Sequence, residues 1–231
     1  MTRLLLGLLA LAAAGCGIDL PGKPDPAQRE KKPDEIRDFA TLYEKNCSGC
    51  HGAEGRLGSA PPLNDPLLLA ILSEEQIRKV LQEGRPGTPM PLFAHANGGI
   101  LTAEQIDILA QGLNKEWRGT QSKGTTIPPY LASGTGDPAA GAKVFARACA
   151  SCHGAAGQGG QAGAINDPAF LGLLTDQAIR RLIITGRPDL GMPSFSDSRG
   201  RDKDFKPLTD REVTDLTAHV AGWRRTSGDK R

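Results

Sequence analysis

The chain has 231 residues and a formal net charge of +2, with 39% hydrophobic residues, 4% aromatic residues, 29 Gly and 17 Pro. That length admits one or two domains. The near-neutral charge, with no basic stripe interleaved with aromatics, gives no footing for nucleic acid. Few aromatics with many Gly and Pro describe small modules with long loops, whose thin cores need a staple or a cofactor.

At the N-terminus, Arg3 precedes an apolar run from Leu4 to Ala14 broken only by Gly7. The run is too short to cross a bilayer and suits the core of an export signal. Its end, Ala13-Ala14-Gly15-Cys16, resembles a bacterial lipoprotein signal, although Ala13 stands where that family usually has Leu. The resemblance implies a signal peptide over 1–15, cleavage before Cys16 and acylation of Cys16. Several acyl chains on one residue would anchor the protein to the outer, periplasmic face of a cell membrane. Residues 16–33, with Pro21, Gly22, Pro24 and Pro26, read as an extended tether.

A helix is expected over Asp34 to Asn46, with Ile36, Phe39, Leu42 and Tyr43 on one face. It leads into Cys47-Ser48-Gly49-Cys50-His51, the C-x-x-C-H attachment motif of c-type haem. The two thiols at this spacing can each form a thioether with one vinyl group of a porphyrin, and the adjacent histidine is held under the iron. A zinc half-site would need a second ligand pair at short range, and a redox dithiol a βαβ setting; neither pattern is present. Ser73 to Gln76 is a capping box opening a helix that stops at Gly84. Thr102 to Gln105 opens another, with Ile106, Leu109 and Leu113 on one side and Trp117 at its end. Residues 119–136, rich in Gly, Ser, Thr and Pro, read as a linker.

The pattern is then written again. At an offset of 102, Cys47, Cys50 and His51 meet Cys149, Cys152 and His153, and Asn64-Asp65-Pro66 meets Asn166-Asp167-Pro168. Gly84-Arg85-Pro86 likewise meets Gly186-Arg187-Pro188, and Met90-Pro91 meets Met192-Pro193. Beyond this span Leu101-Thr102 matches Leu208-Thr209 at an offset of 107, so the second copy carries five extra residues. Helices are expected over Pro138 to Ala148, Thr175 to Thr185 and Thr209 to Trp223, and strand signals are nearly absent. All five cysteines are accounted for by the two motifs and Cys16.

Helix, C-x-x-C-H, glycine-rich loop, helix, Met-Pro and final helix together resemble class I cytochromes c, twice over. The resemblance implies an all-α fold of two tandem cytochrome c domains, 34–118 and 137–225, followed by a tail over 226–231. It implies two covalent haems c, with iron held by His51 and His153. Of three methionines, Met1 leaves with the signal, and Met90 and Met192 survive at matching loop positions before proline. They are the expected second axial ligands. The rivals His95 and His219 read as surface or packed side chains; His95 has Asp197 as its counterpart, and His219 lies inside the last helix.

In the same family a proline carbonyl fixes the ligating imidazole. Within Ala60-Pro61-Pro62-Leu63, Pro62 is the expected acceptor, and the carbonyl of Ala164 would serve in the second copy. Arg85 and Arg187 are candidates for hydrogen bonds to haem propionates. The family's crossing of first and last helices needs a small residue and an aromatic, which Gly141 and Phe145 supply. The first copy has Phe39 and Tyr43 instead, so a looser or differently angled crossing with Trp117 is expected.

Iron coordinated on both sides transfers electrons and has no place for peroxide. The expected function is therefore an electron carrier, not an enzyme, exchanging single electrons with respiratory or photosynthetic membrane partners. A fixed relay subunit of a membrane complex is the alternative, and a dihaem peroxidase a further one. Residues 34–120 carry 12 acidic and 8 basic side chains and residues 136–231 carry 11 and 14, so the halves differ in sign. Arg199, Arg201, Lys203 and Lys206 would supply a basic docking patch for a redox partner.

Overall fold

The structure is a computed structural model that describes Gly22, Asp25 and residues 29–119, 127–198 and 203–226, the side chains of 225 and 226 excepted. The expected export signal, Cys16, Arg199 and Arg201 lie outside these residues. The chain divides into two compact units, residues 1–35 and 36–231. In the first, the 3-10 turn Pro33–Glu35 is closed by the Glu35 N–H on the Lys32 carbonyl at 2.9 Å.

The second unit holds both copies. Its helices are α1 (Phe39–Asn46), α2 (Ser48–His51), α3 (Pro66–Ile71), α4 (Glu74–Glu83) and α5 (Ala103–Trp117) in the first copy. The second copy has α6 (Pro138–Ala148), α7 (Ala150–His153), α8 (Pro168–Gly172), α9 (Asp176–Thr185) and α10 (Asp210–Thr226). Among the described residues there is no strand, only the isolated bridges Ala94 to Leu101 and Arg187 to Met192. The all-α, tandem architecture is the one expected.

Local chemistry sets the helix ends. Both capping boxes form: Ser73 with Gln76 opens α4, and Thr102 with Gln105 opens α5. Thr209 and Glu212 repeat the arrangement at α10, with the Thr209 N–H on the Glu212 carboxylate at 2.9 Å. Asp65 and Asp167 cap α3 and α8 ahead of a proline at the first turn. The first helix starts later than its apolar pattern predicted. Asp38 is extended, at φ −98° and ψ 126°, and its carboxylate accepts the Thr41 N–H, so the helix begins at Phe39.

Two cores result. Leu42, Tyr43, Ile77, Leu81, Ile106 and Leu109 are buried in the first; Phe145, Leu171, Ile184, Val213, Leu216 and Val220 in the second. The first and last helices of each copy pack together, α1 on α5 and α6 on α10, the second crossing being the more extensive. A Cβ on Gly141 would meet the Asp215 carbonyl at 2.1 Å, so only glycine permits that approach. The copies also touch each other. α3 packs on α9, and Ile71 lies against the second core. From the linker, Tyr130 is 5% exposed; its carbonyl accepts from Gln177 and Arg180 of α9, while its hydroxyl accepts from Arg85.

Candidate haem sites

Each C-x-x-C-H motif forms one helical turn, α2 or α7, hung from the end of the first helix of its copy. Cys47 and Cys149 are at once the C-cap of one helix and the N-cap of the next. The loop that follows folds back through matching hydrogen bonds in the two copies. The N–H of Ala60 reaches the Cys50 carbonyl at 2.9 Å, and that of Ala162 the Cys152 carbonyl at 3.0 Å. Asn64 and Asn166 pin the loops by donating to the carbonyls of Glu54 and Ala156, at 2.9 and 3.0 Å. Gly55 and Gly157 sit under the closing tryptophans: a Cβ there would stand 2.8 Å from Trp117 and 2.6 Å from Trp223.

This folding aims the histidines. Nδ1 of His51 donates to the Pro61 carbonyl at 2.8 Å, and Nδ1 of His153 to the Gly163 carbonyl at 3.1 Å. The expected acceptors, Pro62 and Ala164, are therefore each corrected by one residue. Pro62 has another role, because its carbonyl accepts from Nη2 of Arg181 in the second copy. In both copies the acceptor lies ten residues beyond the histidine. With the proton held on Nδ1, Nε2 keeps its lone pair for a metal.

None of the four motif cysteines is in a disulfide; Cys47 is buried, Cys149 intermediate, and Cys50 and Cys152 exposed. Burial first, then the neighbouring Cys50, pushes the Cys47 thiol up to about 12. A working redox dithiol needs the opposite, a thiolate stabilised near neutrality. A thioether has no such proton to lose, so the environment suits attachment. Among the described residues no three His, Cys, Asp or Glu side chains are grouped to hold an ion by themselves. Vicinal thiols with an oriented imidazole fit a porphyrin-borne iron.

Met90 and Met192 lie in matching loops, each partly buried against the core of its own copy. Gly84 and Gly186, both with positive φ, bring these loops onto the helix ends: a Cβ there would meet Pro91 and Pro193 backbone atoms at 2.6 and 2.5 Å. The Arg85 N–H then donates to the Met90 carbonyl at 3.0 Å, and the Arg187 N–H to that of Met192 at 2.8 Å. His95 is exposed in a 3-10 turn, and His219 packs in the helix crossing against Phe145 and Trp223, at ring distances of 5.7 and 5.0 Å.

The two sites differ in their surroundings. His51 is 9% exposed, because the second copy covers the loop after it, whereas His153 is only half-buried. Burial holds the His51 imidazole below its usual range; the Pro61 bond opposes this, and Arg181, Arg187 and Arg85 add to it. Arg187, the expected propionate donor, is already paired within its own copy. Its fork is taken by Asp189, at 2.9 Å on both oxygens, and Asp189 in turn accepts the Leu57 N–H at 3.1 Å. That salt bridge holds the Asp189 carboxyl below the usual carboxylate range. Arg181, Asp189 and Tyr130 escaped the sequence reading. The signal for Arg181 was a break in the repeat, since Lys79 stands at the matching position of the first copy.

Comparison with known proteins agrees with the doubled architecture. Residues 34–111 and 136–220 match the family described as cytochrome c oxidase, cbb3-type, subunit III. A curated relative, the cbb3-type cytochrome c oxidase subunit FixP of Bradyrhizobium sp. (strain ORS 278), is 34% identical over 128 residues, covering 49% of this chain and 38% of the relative. The chain is thus matched to well under half of that relative's length. A solved structure, the reducing HAO-like protein complex Kustc0457/Kustc0458 of Kuenenia stuttgartiensis, aligns with 89% of this chain and 99% of its own at 20% identity and a TM-score of 0.41.

Proposed function

The chain belongs to the family of cytochrome c oxidase, cbb3-type, subunit III, and on that premise we propose that it relays single electrons through two haems c as a subunit of a membrane respiratory complex. The observation that carries this reading is the repeated imidazole, its Nδ1 tied to a backbone carbonyl directly behind a pair of thiols. Cys47 and Cys50 hold the first porphyrin, and Cys149 and Cys152 the second. His51 with Met90, and His153 with Met192, would ligate the two irons. Bound haem supplies a one-electron iron couple, which no side chain of the protein could provide at neutral pH.

The protein's own contribution is positional. The Pro61 and Gly163 carbonyls hold the imidazoles and keep their protons on Nδ1. The N–H groups of Arg85 and Arg187 donate to the Met90 and Met192 carbonyls, which supports a fixed position for the loops that carry the two thioethers. With Met90 and Met192 as well as the histidines on iron, each haem would exchange electrons and would offer peroxide no open site. The FixP relative is named as an oxidase subunit, which favours a fixed relay over a free carrier. Acylation of Cys16 would hold the chain at the extracytoplasmic face; among the described residues no helix is long and apolar enough to cross a membrane.

Mild detergent extraction followed by size analysis tests the reading. The haem-bearing chain is expected to elute with a larger oxygen-consuming assembly that oxidises both haems. Elution of the chain alone, reduced and indifferent to that assembly, would leave the free carrier as the correct account. Rapid binding of carbon monoxide to the reduced chain would overturn both.

A further inference from the structure

We propose that Arg187 and Asp189 of the second copy form a clasp on the first copy's haem-attachment loop, and that this clasp positions Met192 for the second haem. The proposal rests on the haem reading above. The pair lies on the loop that runs from Gly186 to Met192, and its side chains are only 13% and 5% exposed. Beyond their own ion pair, both reach into the other copy. Asp189 accepts the Leu57 N–H at 3.1 Å, and Nη2 of Arg187 donates to the Gly58 carbonyl at 3.4 Å. An acceptor and a donor held side by side thus meet the donor and the acceptor of two consecutive residues. That segment lies against the first C-x-x-C-H turn: a Cβ on Gly58 would stand 2.2 Å from the Cys50 carbonyl and 2.6 Å from the Gly52 nitrogen.

The repeat shows what the clasp replaces. In the first copy the Met90 loop is tied from within: the Thr88 hydroxyl accepts the Met90 N–H at 3.2 Å and donates to the Arg85 carbonyl at 2.7 Å. Leu190 stands at that position in the second copy and has no such group, while Asp189 replaces Gly87. The Met192 N–H turns to the Arg187 carbonyl at 3.0 Å, so the residue that closes the ligand loop is the one whose side chain is clasped. The two-toothed pairing of Arg187 with Asp189 fixes the direction of the carboxylate as well as its charge. Leu57 carries the mark of the same exchange. Its φ is 63°, the only positive value at a non-glycine among the described residues, and its counterpart in the second copy is Gly159. A side chain stays in this disfavoured region only where its surroundings fix it. Apolar burial does not do so, since Leu57 and Leu190 are 69% and 66% exposed; the hydrogen bond to Asp189 does.

The test uses the full ferric chain with both haems attached. The second haem is the one that opens to cyanide in Met192→Ala. Asp189→Ala is expected to admit cyanide to that haem roughly tenfold faster, the low end of what losing an outer partner costs a metal site. The first haem should keep its rate. Amide hydrogen exchange over residues 53–60 should speed up in the same variant, because Leu57 loses its acceptor. Asp189→Asn, which weakens the pairing with Arg187, should move both readouts the same way by less, and it serves where the alanine variant does not load both haems. Asp176→Asn, which breaks the ion pair with Arg224 in the same copy, should move neither. The proposal falls if neither Asp189 variant changes the second haem's cyanide rate, or if Asp176→Asn changes it equally. It falls too if that haem opens while exchange over 53–60 stays slow, since Met192 would then be held within its own copy alone. A wild-type second haem that already takes cyanide as fast as Met192→Ala does would instead defeat the ligand reading beneath the proposal.

Discussion

Phe39 fills the space that Gly112 leaves: a Cβ on Gly112 would stand 2.1 Å from Cδ2 of the phenylalanine ring. In the second copy the sizes are exchanged. Gly141 takes the place of Phe39, His219 takes that of Gly112, and a Cβ on Gly141 would lie 2.8 Å from the His219 Cβ. Each crossing keeps one glycine, on opposite helices. The first crossing is the less extensive of the two, as expected, and keeps a glycine on its last helix, while Trp117 packs on Phe39 and Tyr43 at 5.7 and 5.0 Å.

Gly112→Ala should therefore destabilise the holoprotein despite alanine's better helix propensity. Overpacking costs about 1–3 kcal/mol against a propensity gain of about 1 kcal/mol. Denaturant unfolding of the single variants and of Gly112→Ala with Phe39→Ala forms a double-mutant cycle. The two changes are expected to couple favourably by roughly 1 kcal/mol. Strict additivity would show that the ring does not press on the helix.

Methionine ligation predicts a weak near-infrared sulfur-to-iron absorption in the ferric protein. Met90→Ala and Met192→Ala should each remove one haem's share and open that iron to cyanide. His95→Ala should leave the band intact. A spectrum unmoved by both methionine changes would show that another group holds the sixth position.

Covalent attachment predicts that the acid-denatured chain keeps both porphyrins in its mass spectrum. Cys50→Ala should leave the first held by one thioether, and Cys47→Ala with Cys50→Ala should release it, leaving one haem on the chain. Release of both porphyrins from the wild-type chain by simple unfolding would exclude the attachment proposed.

His219 predicts a pH dependence of stability. Burial between Phe145 and Trp223 lowers its pKa below the usual 6.5, outweighing the opposing hydrogen bond at Pro138. The unfolded chain then binds the proton more readily than the folded one, so stability falls as pH drops below about 6.5 and levels off under the folded pKa. Thermal melts between pH 5 and 8 should show this slope, and His219→Gln should flatten it. An equal slope in the variant would assign the effect to other groups.

The sequence alone determined everything carried by short-range chemistry. The C-x-x-C-H spacing, the capping boxes, the Asn-Asp-Pro turns and the offset of 102 are local signals, and each helix they announced is present. The all-α doubled fold followed from them, as did the surviving pair of methionines. Three errors were also local: Pro62 for Pro61, Ala164 for Gly163, and a helix begun at Asp34 instead of Phe39, where the extended Asp38 caps the chain. What only the tertiary structure decided is how the copies meet. Arg181 reaches Pro62 across 119 residues of chain, and Asp189 reaches Leu57 across 132. Such contacts follow from packing α3 on α9, which no periodicity or motif encodes. Side-chain spacing reports neighbours along one helix, whereas the partner of a buried charge is chosen by whichever surface excludes water from it.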